Sequence, residues 1–217
     1  SKMGVTFDIQ NGYISANCSR LIGCEISFPK TTVTGTENIL MASTLAEGKT
    51  VITNAAREPE VVDLANCLVA MGAVIDGIWT DTLHIRGVGG LNGAEHTVLP
   101  DRIESGSYAV AAAITGGEIL LRNARMDLIQ ATAELLTRSG VKFDEEQNGV
   151  RVSRADGEIE GVDLMTEPFP GFPTDMQAQF MALMSIARGA SMITETIFEN
   201  RFMHVPELCR MGADINV

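Results

Sequence analysis

The strongest constraint on the fold is an internal repeat. Three stretches of the sequence show the same order of features: a helix end, a glycine, an apolar strand, an amphipathic helix and a second glycine. These stretches are Leu45 to Ile75, Ile114 to Phe143 and Ile186 to Ile215. Glycines recur at intervals of about 70 residues, at Gly4, Gly72, Gly140 and Gly212. Solenoid repeats are shorter, roughly 20 to 50 residues, so this period favours a whole βαβαββ unit. The sequence therefore predicts an α/β fold, which some schemes class as α+β, made of repeated βαβαββ units.

The two ends of the chain fall at the same phase of this repeat. The chain opens just before Gly4 and closes just after Gly212. Repeat arrays usually end in atypical units with a polar outer face, and neither end has that composition. We therefore expect the chain to be a fragment of a longer protein. The apolar faces that the fragment leaves uncovered favour its self-association.

Local signals predict the elements of the middle repeat. An Ala-rich helix is expected over Arg102 to Thr115, because glycines follow it, and then a strand over Glu118 to Arg122. Asp127 is expected to cap the next helix. Asn148-Gly149 predicts a hairpin with a type I′ turn, in which both central residues need positive φ.

Similar signals occur in the flanking repeats. Asn11-Gly12 predicts another type I′ hairpin between two apolar strands. Glu58-Pro59-Glu60 and Val205-Pro206-Glu207 each predict a helix start, since Pro suits the first helical position and acids suit the positive helix end. A loop-rich stretch from Gly87 to Pro100 marks the predicted boundary between two domains, residues 1–98 and 99–217.

Composition limits the classes of function. The formal charge of −12 argues against a protein that wraps a nucleic-acid backbone with a broad basic face. No apolar run is long enough for a membrane span and no signal peptide is visible, so a cytoplasmic protein is expected. The four cysteines lack ligand-like spacing, which predicts reduced thiols and neither a metal nor a cofactor site.

Five motifs resemble one enzyme family along nearly the whole chain. They are Lys30 to Asn38, Asn54 to Glu60, Leu99 to Glu104, Phe172 to Gln179 and Glu199 to Val205. In sequence and order these runs are similar to those of the UDP-N-acetylglucosamine enolpyruvyl (1-carboxyvinyl) transferases. The resemblance implies a two-lobed inverse α/β barrel of six βαβαββ units around a substrate cleft, of which about three are present here. Residues 1–98 would be the later part of the first lobe, which bears the catalytic loop, and residues 99–217 the earlier part of the second.

The resemblance also implies the activity. Enzymes of this family transfer the enolpyruvyl group of phosphoenolpyruvate to the 3′-hydroxyl of UDP-N-acetylglucosamine and release phosphate. This is the first committed step of peptidoglycan synthesis, and so it serves cell wall biogenesis, cell shape and cell division. Such chemistry needs a carboxylate facing the hydroxyl, a proton donor, and cations that hold the diphosphate, phosphate and carboxylate groups.

Particular residues match the family's site. By resemblance, Asp175 is the carboxylate that faces the sugar hydroxyl, and it stands at the start of a helix expected to run to Ala187. Arg201 would hold phosphoenolpyruvate, since a guanidinium fork matches carboxylate and phosphate geometry. The UDP-sugar would contact Lys30, Thr31, Thr32, Val33 and Ile197, and the Thr-rich turn after Lys30 could hold the diphosphate at a helix start.

Each of these residues also has a structural alternative. Asp175 could simply stabilise the positive end of its helix. Lys30 could be an ordinary solvated surface lysine. Arg201 could form a surface ion pair with Glu199 or Glu195. His204, a lone histidine among apolar residues, is expected to be structural and outside the site.

Two family motifs do not occur in this sequence, and two other functions stay open. Neither the Gly-rich loop whose Cys donates the proton nor the Lys-Asn pair that binds phosphoenolpyruvate is present. The chain alone is therefore expected to be inactive, and no proton-donor role is given to its cysteines. The alternatives are the enolpyruvyl transferase that acts on shikimate 3-phosphate, and a noncatalytic clamp-like repeat assembly.

Overall fold

The computed structural model describes residues 2–154 and 157–217 and divides the chain into two compact units. They are Ser1–Leu99, here called the N-terminal unit, and Pro100–Val217, the C-terminal unit. The division lies one residue from the boundary predicted from the loop-rich stretch. Each unit has its own apolar core and is described by itself.

The N-terminal unit begins with an exposed hairpin. Strands β1 (Thr6–Gln10) and β2 (Tyr13–Asn17) pair antiparallel, with Gln10 opposite Tyr13. The two turn residues, Asn11 and Gly12, have φ values of 52° and 82°. Both are in the left-handed region, so the prediction of a type I′ turn is confirmed.

A complete βαβαββ repeat follows. Its elements in order are β3 (Glu25–Ser27), α1 (Val33–Thr44), β4 (Lys49–Thr53), α2 (Pro59–Ala70), β5 (Val74–Asp76) and β6 (Thr82–Arg86). The sheet has the order β3-β4-β6-β5, in which β3 and β4 are parallel and the other neighbours antiparallel. Leu40 of α1, Ile52 of β4 and Ile85 of β6 are fully or almost fully buried between the helices and the sheet. The predicted repeat is therefore present here in full.

The C-terminal unit repeats the later part of this order. Helix α3 (Arg102–Thr115), β7 (Glu118–Arg122), α4 (Met126–Arg138), β8 (Val141–Glu146) and β9 (Gly149–Arg154) form a sheet of order β7-β9-β8 with two helices. The bounds of α3 and β7 are those predicted. Asp101 caps α3 by accepting hydrogen bonds from Ile103 N–H and Glu104 N–H, and Gly116 ends it in the left-handed conformation.

Two local predictions for this unit are wrong. The residue at the N-cap of α4 is Arg125, and Asp127 lies in the first turn, where it pairs with the Arg125 guanidinium. The predicted hairpin of β8 and β9 is present, but Glu146 pairs with Gly149, so the turn residues are Gln147 and Asn148 and not the predicted Asn148 and Gly149. Gly149 is needed for two reasons: its φ is 145°, which other residues rarely adopt, and a Cβ there would lie 2.0 Å from the Leu121 carbonyl oxygen on β7.

The last part of the C-terminal unit carries a second parallel pair. Strand β10 (Leu164–Met165), a 3₁₀ turn (Thr174–Met176), α5 (Gln177–Met184), β11 (Ile193–Thr194) and α6 (Val205–Arg210) follow one another. Strands β10 and β11 pair parallel, as β3 and β4 do.

Helix α5 ends at Met184, so the expected extension to Ala187 is wrong. Phe172 and Phe180 pack edge to face, with ring centroids 5.5 Å apart, and fix the 3₁₀ turn to the core.

Both predicted Pro-containing helix starts are confirmed. Pro59 and Val205 are the first residues of α2 and α6, and each helix has Pro in its first two positions and an acid in its first turn. Pro fits there because its missing N–H belongs to the part of a helix that has no internal acceptor.

A glycine at the end of β6 gives a test of the N-terminal unit. A Cβ on Gly87 would lie 1.6 Å from the Ala46 carbonyl oxygen, whereas a Cβ on Gly89 meets no atom within 4 Å. We expect Gly87→Ala to lower the free energy of unfolding by about 1 to 3 kcal/mol or more, because backbone must move. Gly89→Ala is the matched control. Denaturant unfolding with equal midpoints for the two variants would contradict the described packing.

Candidate functional site

The candidate residues of the N-terminal unit lie where α1 begins. Thr32 is the N-cap, and its Oγ1 accepts a hydrogen bond of 3.3 Å from Gly35 N–H. Its carbonyl oxygen accepts from Thr36 N–H and from Thr36 Oγ1. A Cβ on Gly35 would lie 2.4 Å from Thr32 Cγ2, so glycine lets the cap residue fold over the first turn. Val33 is the first residue of α1. The sequence thus forms a regular capped helix end at the predicted binding turn.

Thr31 and Lys30 extend this turn toward solvent. The Thr31 hydroxyl donates a 2.8 Å hydrogen bond to Asn54 Oδ1, and Asn54 Nδ2 donates to the Phe28 carbonyl oxygen. Asn54 follows β4 and has a positive φ of 56°. Lys30 is exposed, and within residues 2–154 and 157–217 it makes no salt bridge. The lysine is therefore a solvated cation beside a turn held in place by Asn54.

Asp175 does not cap a helix. It lies in the 3₁₀ turn before α5, and neither that turn nor α5 has a side-chain cap. Its carboxylate instead accepts a 2.6 Å hydrogen bond from Arg201 Nη2, with 56% of the Asp175 side chain exposed. The structural alternative for Asp175, a charge that serves only the helix end, does not describe this contact.

Arg201 connects two segments of the C-terminal unit. Its Nη2 binds Asp175, and its Nη1 donates a 2.9 Å hydrogen bond to Thr174 Oγ1. The guanidinium carbon lies 5.3 Å from the centre of the Phe198 ring, a cation–π arrangement. The structural alternative, a surface ion pair with Glu199 or Glu195, is wrong in its partner, because the carboxylate that meets Arg201 is that of Asp175.

Glu195 organises the segment that carries Ile197 and Arg201, and sequence reasoning missed this role. Its Oε1 accepts hydrogen bonds from Thr166 Oγ1, Ile197 N–H and Phe198 N–H, and its Oε2 accepts from Thr174 Oγ1. Burial acts to raise the pKa of Glu195, but these four hydrogen bonds outweigh it and lower the pKa below its ordinary value of 4.5. The only sequence signal was the position of Glu195, directly after a short strand.

Ile197 and His204 flank Arg201 in sequence and differ in their surroundings. The side chain of Ile197 is exposed while its N–H is held by Glu195, so it offers an apolar surface to solvent. His204 Nε2 lies 3.2 Å from Met181 Sδ, and burial together with the Arg201 charge lowers the pKa of His204 below 6.5. Both effects disfavour the protonated imidazole, and the structural role of His204 stays a prediction.

The lowered pKa of Glu195 predicts a pH dependence of stability. A carboxyl whose pKa is depressed by folding stabilises the folded state above about 4.5, and this contribution is lost as the pH falls through the lowered pKa. We therefore expect the stability difference between the parent and Glu195→Gln to be largest at neutral pH and to shrink below pH 4. Urea unfolding at several pH values measures it. A difference that stays constant down to pH 3 would contradict the assigned charge.

The described residues contain no group of three or more His, Cys, Asp or Glu side chains able to hold a metal ion. Among the helices in this part of the chain, none combines the length and the apolar character needed to cross a bilayer.

Comparison with known proteins gives close relatives. The profile of the family of EPSP synthase (3-phosphoshikimate 1-carboxyvinyltransferase) matches residues 1–217. The chain is 64% identical to the UDP-N-acetylglucosamine 1-carboxyvinyltransferase of Paramagnetospirillum magneticum, covering 100% of this chain and 50% of that protein. It is 61% identical to the enzyme of the same name from Granulibacter bethesdensis, covering 100% of this chain and 51% of that protein. The chain thus spans about half the length of the curated relatives it matches.

Solved structures support the fold. The enolpyruvyl transferase NikO from Streptomyces tendae superimposes with a TM-score of 0.87 at 23% identity, covering all of this chain and 54% of that chain. An EPSP synthase from Acinetobacter baumannii has a TM-score of 0.61 at 21% identity, covering 88% of this chain and 45% of that chain. At this identity the likeness concerns the fold alone, and it agrees with the predicted enolpyruvyl transferase-like α/β architecture.

Proposed function

Since this chain belongs to the family of EPSP synthase (3-phosphoshikimate 1-carboxyvinyltransferase), we propose that it is part of an enzyme that transfers enolpyruvyl from phosphoenolpyruvate to UDP-N-acetylglucosamine. The acceptor is the 3′-hydroxyl of the sugar, and phosphate is released. The reaction is the first committed step of peptidoglycan synthesis. The proposal includes a cytoplasmic location.

One observation carries the choice of substrate. Eight relatives that are 54% to 64% identical over essentially the whole chain carry the name UDP-N-acetylglucosamine 1-carboxyvinyltransferase. The shikimate alternative rests on the family profile and on a structural likeness at 21% identity. The sugar nucleotide is therefore the favoured acceptor.

In the proposed reaction the sugar oxygen bonds to C2 of phosphoenolpyruvate while C3 takes a proton. Loss of a proton from C3 and cleavage of the bond between C2 and the phosphate oxygen then give the enol ether and free phosphate. Asp175 is proposed to orient the 3′-hydroxyl and accept its proton. The exposed position of its carboxylate and the lack of a capping role support this assignment.

Charged and apolar groups are proposed to bind the substrates. Arg201 takes the carboxylate or phosphate of phosphoenolpyruvate, because its planar fork suits both groups. Ile197 contributes an apolar wall to the UDP-sugar. In the N-terminal unit, Lys30 and the capped turn of Thr31, Thr32 and Val33 hold the nucleotide sugar, since the positive end of a helix favours phosphate.

Calorimetric titration of the full-length protein tests the proposal. We expect heat on addition of UDP-N-acetylglucosamine and no response to shikimate 3-phosphate or duplex DNA, and phosphate release only when phosphoenolpyruvate is also present. The full-length protein is required because this chain spans about half of its relatives. Binding of shikimate 3-phosphate would favour the other enzyme, and binding of DNA alone would favour the clamp-like assembly.

A further inference from the structure

Four hydrogen bonds end on the carboxylate of Glu195, and they join three separate segments of the C-terminal unit. Thr166 follows β10, Thr174 begins the 3₁₀ turn, and Ile197 and Phe198 follow β11. A single carboxylate therefore fixes the turn that carries Asp175 to the segment that carries Arg201. An ionised carboxylate suits this position, since it accepts four hydrogen bonds and donates none.

The hydroxyl of Thr174 transmits this arrangement to Arg201. A hydroxyl has one hydrogen to donate, and Thr174 Oγ1 gives it to Glu195 Oε2 at 2.9 Å. The oxygen therefore presents a lone pair to Arg201 Nη1, also at 2.9 Å. With Nη1 held there, the other end of the same planar guanidinium meets Asp175 at 2.6 Å. The ionised Glu195 therefore determines that Thr174 donates to Glu195 and accepts from Arg201, which leaves Arg201 Nη2 to bind Asp175.

We propose that Glu195 is a positioning residue, which acts through Thr174 to hold the Arg201 guanidinium beside Asp175 in the orientation that receives an anionic substrate. This inference rests on the proposed function for its catalytic meaning. Its structural content, the restraint of Arg201 by Glu195 and Thr174, is independent of the substrate. Glu195 itself touches neither reacting group.

Glu195→Gln separates this role from simple packing. The substituted amide keeps the size of the side chain, and its one oxygen satisfies the three donors Thr166, Ile197 and Phe198 only if its NH₂ group faces Thr174. That NH₂ group is a donor, so the Thr174 hydrogen must turn away from Glu195 and the two lone pairs of the Thr174 oxygen must serve both the amide and Arg201, which changes the direction of the lone pair that Arg201 binds. Thr174→Val removes the hydroxyl without touching the other three bonds, and Thr174→Ser restores it. Glu207→Gln, at an exposed carboxylate on α6, is the charge-matched control.

The experiment uses full-length protein with ¹⁵N-labelled arginine, and Arg201→Lys assigns the signals. With Nη1 and Nη2 bound to different partners, the Arg201 guanidinium of the parent is expected to show separate, slowly exchanging Nη signals. Glu195→Gln and Thr174→Val should each average them, while Thr174→Ser and Glu207→Gln keep them separate. In steady-state assays, Glu195→Gln should raise KM for phosphoenolpyruvate about tenfold and change the Kd for UDP-N-acetylglucosamine less than about twofold, as expected for one charge-assisted hydrogen bond.

The outcomes distinguish this inference from the proposed function. If Glu195→Gln and Thr174→Val both keep separate Arg201 signals, the positioning role is wrong whatever the enzyme does. If the signals average but the parent turns over neither substrate, the positioning role stands and the proposed function is wrong. If Glu195→Gln does not fold, Thr174→Val alone decides whether the positioning role holds. Loss of the Thr174 hydroxyl breaks none of the backbone hydrogen bonds described for this region, so this variant is expected to fold.

Discussion

Asp175→Asn in the full-length protein is expected to lower kcat by about 10² to 10⁴, the usual contribution of a positioned general base. The amide retains the shape of the side chain and can still accept a hydrogen bond from Arg201 Nη2. It loses the negative charge that would polarise the sugar hydroxyl. Because Asp175 has no capping hydrogen bond to lose, the melting temperature is expected to change little.

Two measurements decide between the catalytic and the structural assignment of Asp175. Phosphate release gives kcat, and a thermal melt gives stability. Loss of a charge at a helix start alone would cost only about 0.3 to 1 kcal/mol of stability. A variant that keeps a near-normal kcat, with at most this small loss of stability, would show that Asp175 is structural and that its catalytic assignment is wrong.

Arg201→Ala is expected to weaken phosphoenolpyruvate binding by about 10- to 100-fold, because hydrogen bonds to charged groups contribute about 1.5 to 3 kcal/mol. The substitution removes the donors to Thr174 and Asp175 and the cation over the Phe198 ring. The affinity for UDP-N-acetylglucosamine should change far less, since the nucleotide is assigned to other residues. KM for phosphoenolpyruvate and calorimetric Kd for the sugar nucleotide measure the two effects.

Arg210→Ala is the matched control for this prediction. Arg210 is 77% exposed and pairs with Glu207 one turn earlier on α6, an arrangement that contributes little to stability. It should leave both constants within about twofold of the parent. If Arg201→Ala behaves like Arg210→Ala, Arg201 is only a surface ion pair and its assignment to phosphoenolpyruvate fails.

Periodicity and turn chemistry determined the architecture of this chain. The end of α3 follows from Gly116, a left-handed stop, whereas the Asp101 cap at its start was recognised only in the structure. Pro59 likewise marks the start of α2, and Asn11-Gly12 marks the first hairpin. These signals are readable from sequence because each depends on the backbone of a few neighbouring residues. The repeated order of elements then gives the βαβαββ unit.

Contacts between distant residues were decided by the tertiary structure alone. Gly149 resembles a turn residue in sequence, and its φ is positive, but the tertiary structure adds a second need for glycine, the close approach of the Leu121 carbonyl on β7. Asp175 and Arg201 were each predicted as site residues from motifs, whereas their mutual contact was not predicted. Glu195 carried no motif at all. Its role exists only because the parallel pairing of β10 with β11 brings Thr166 and the 3₁₀ turn to the same carboxylate. Spacing along the chain encodes local backbone geometry, and such a convergence of three segments depends on packing that the spacing does not contain.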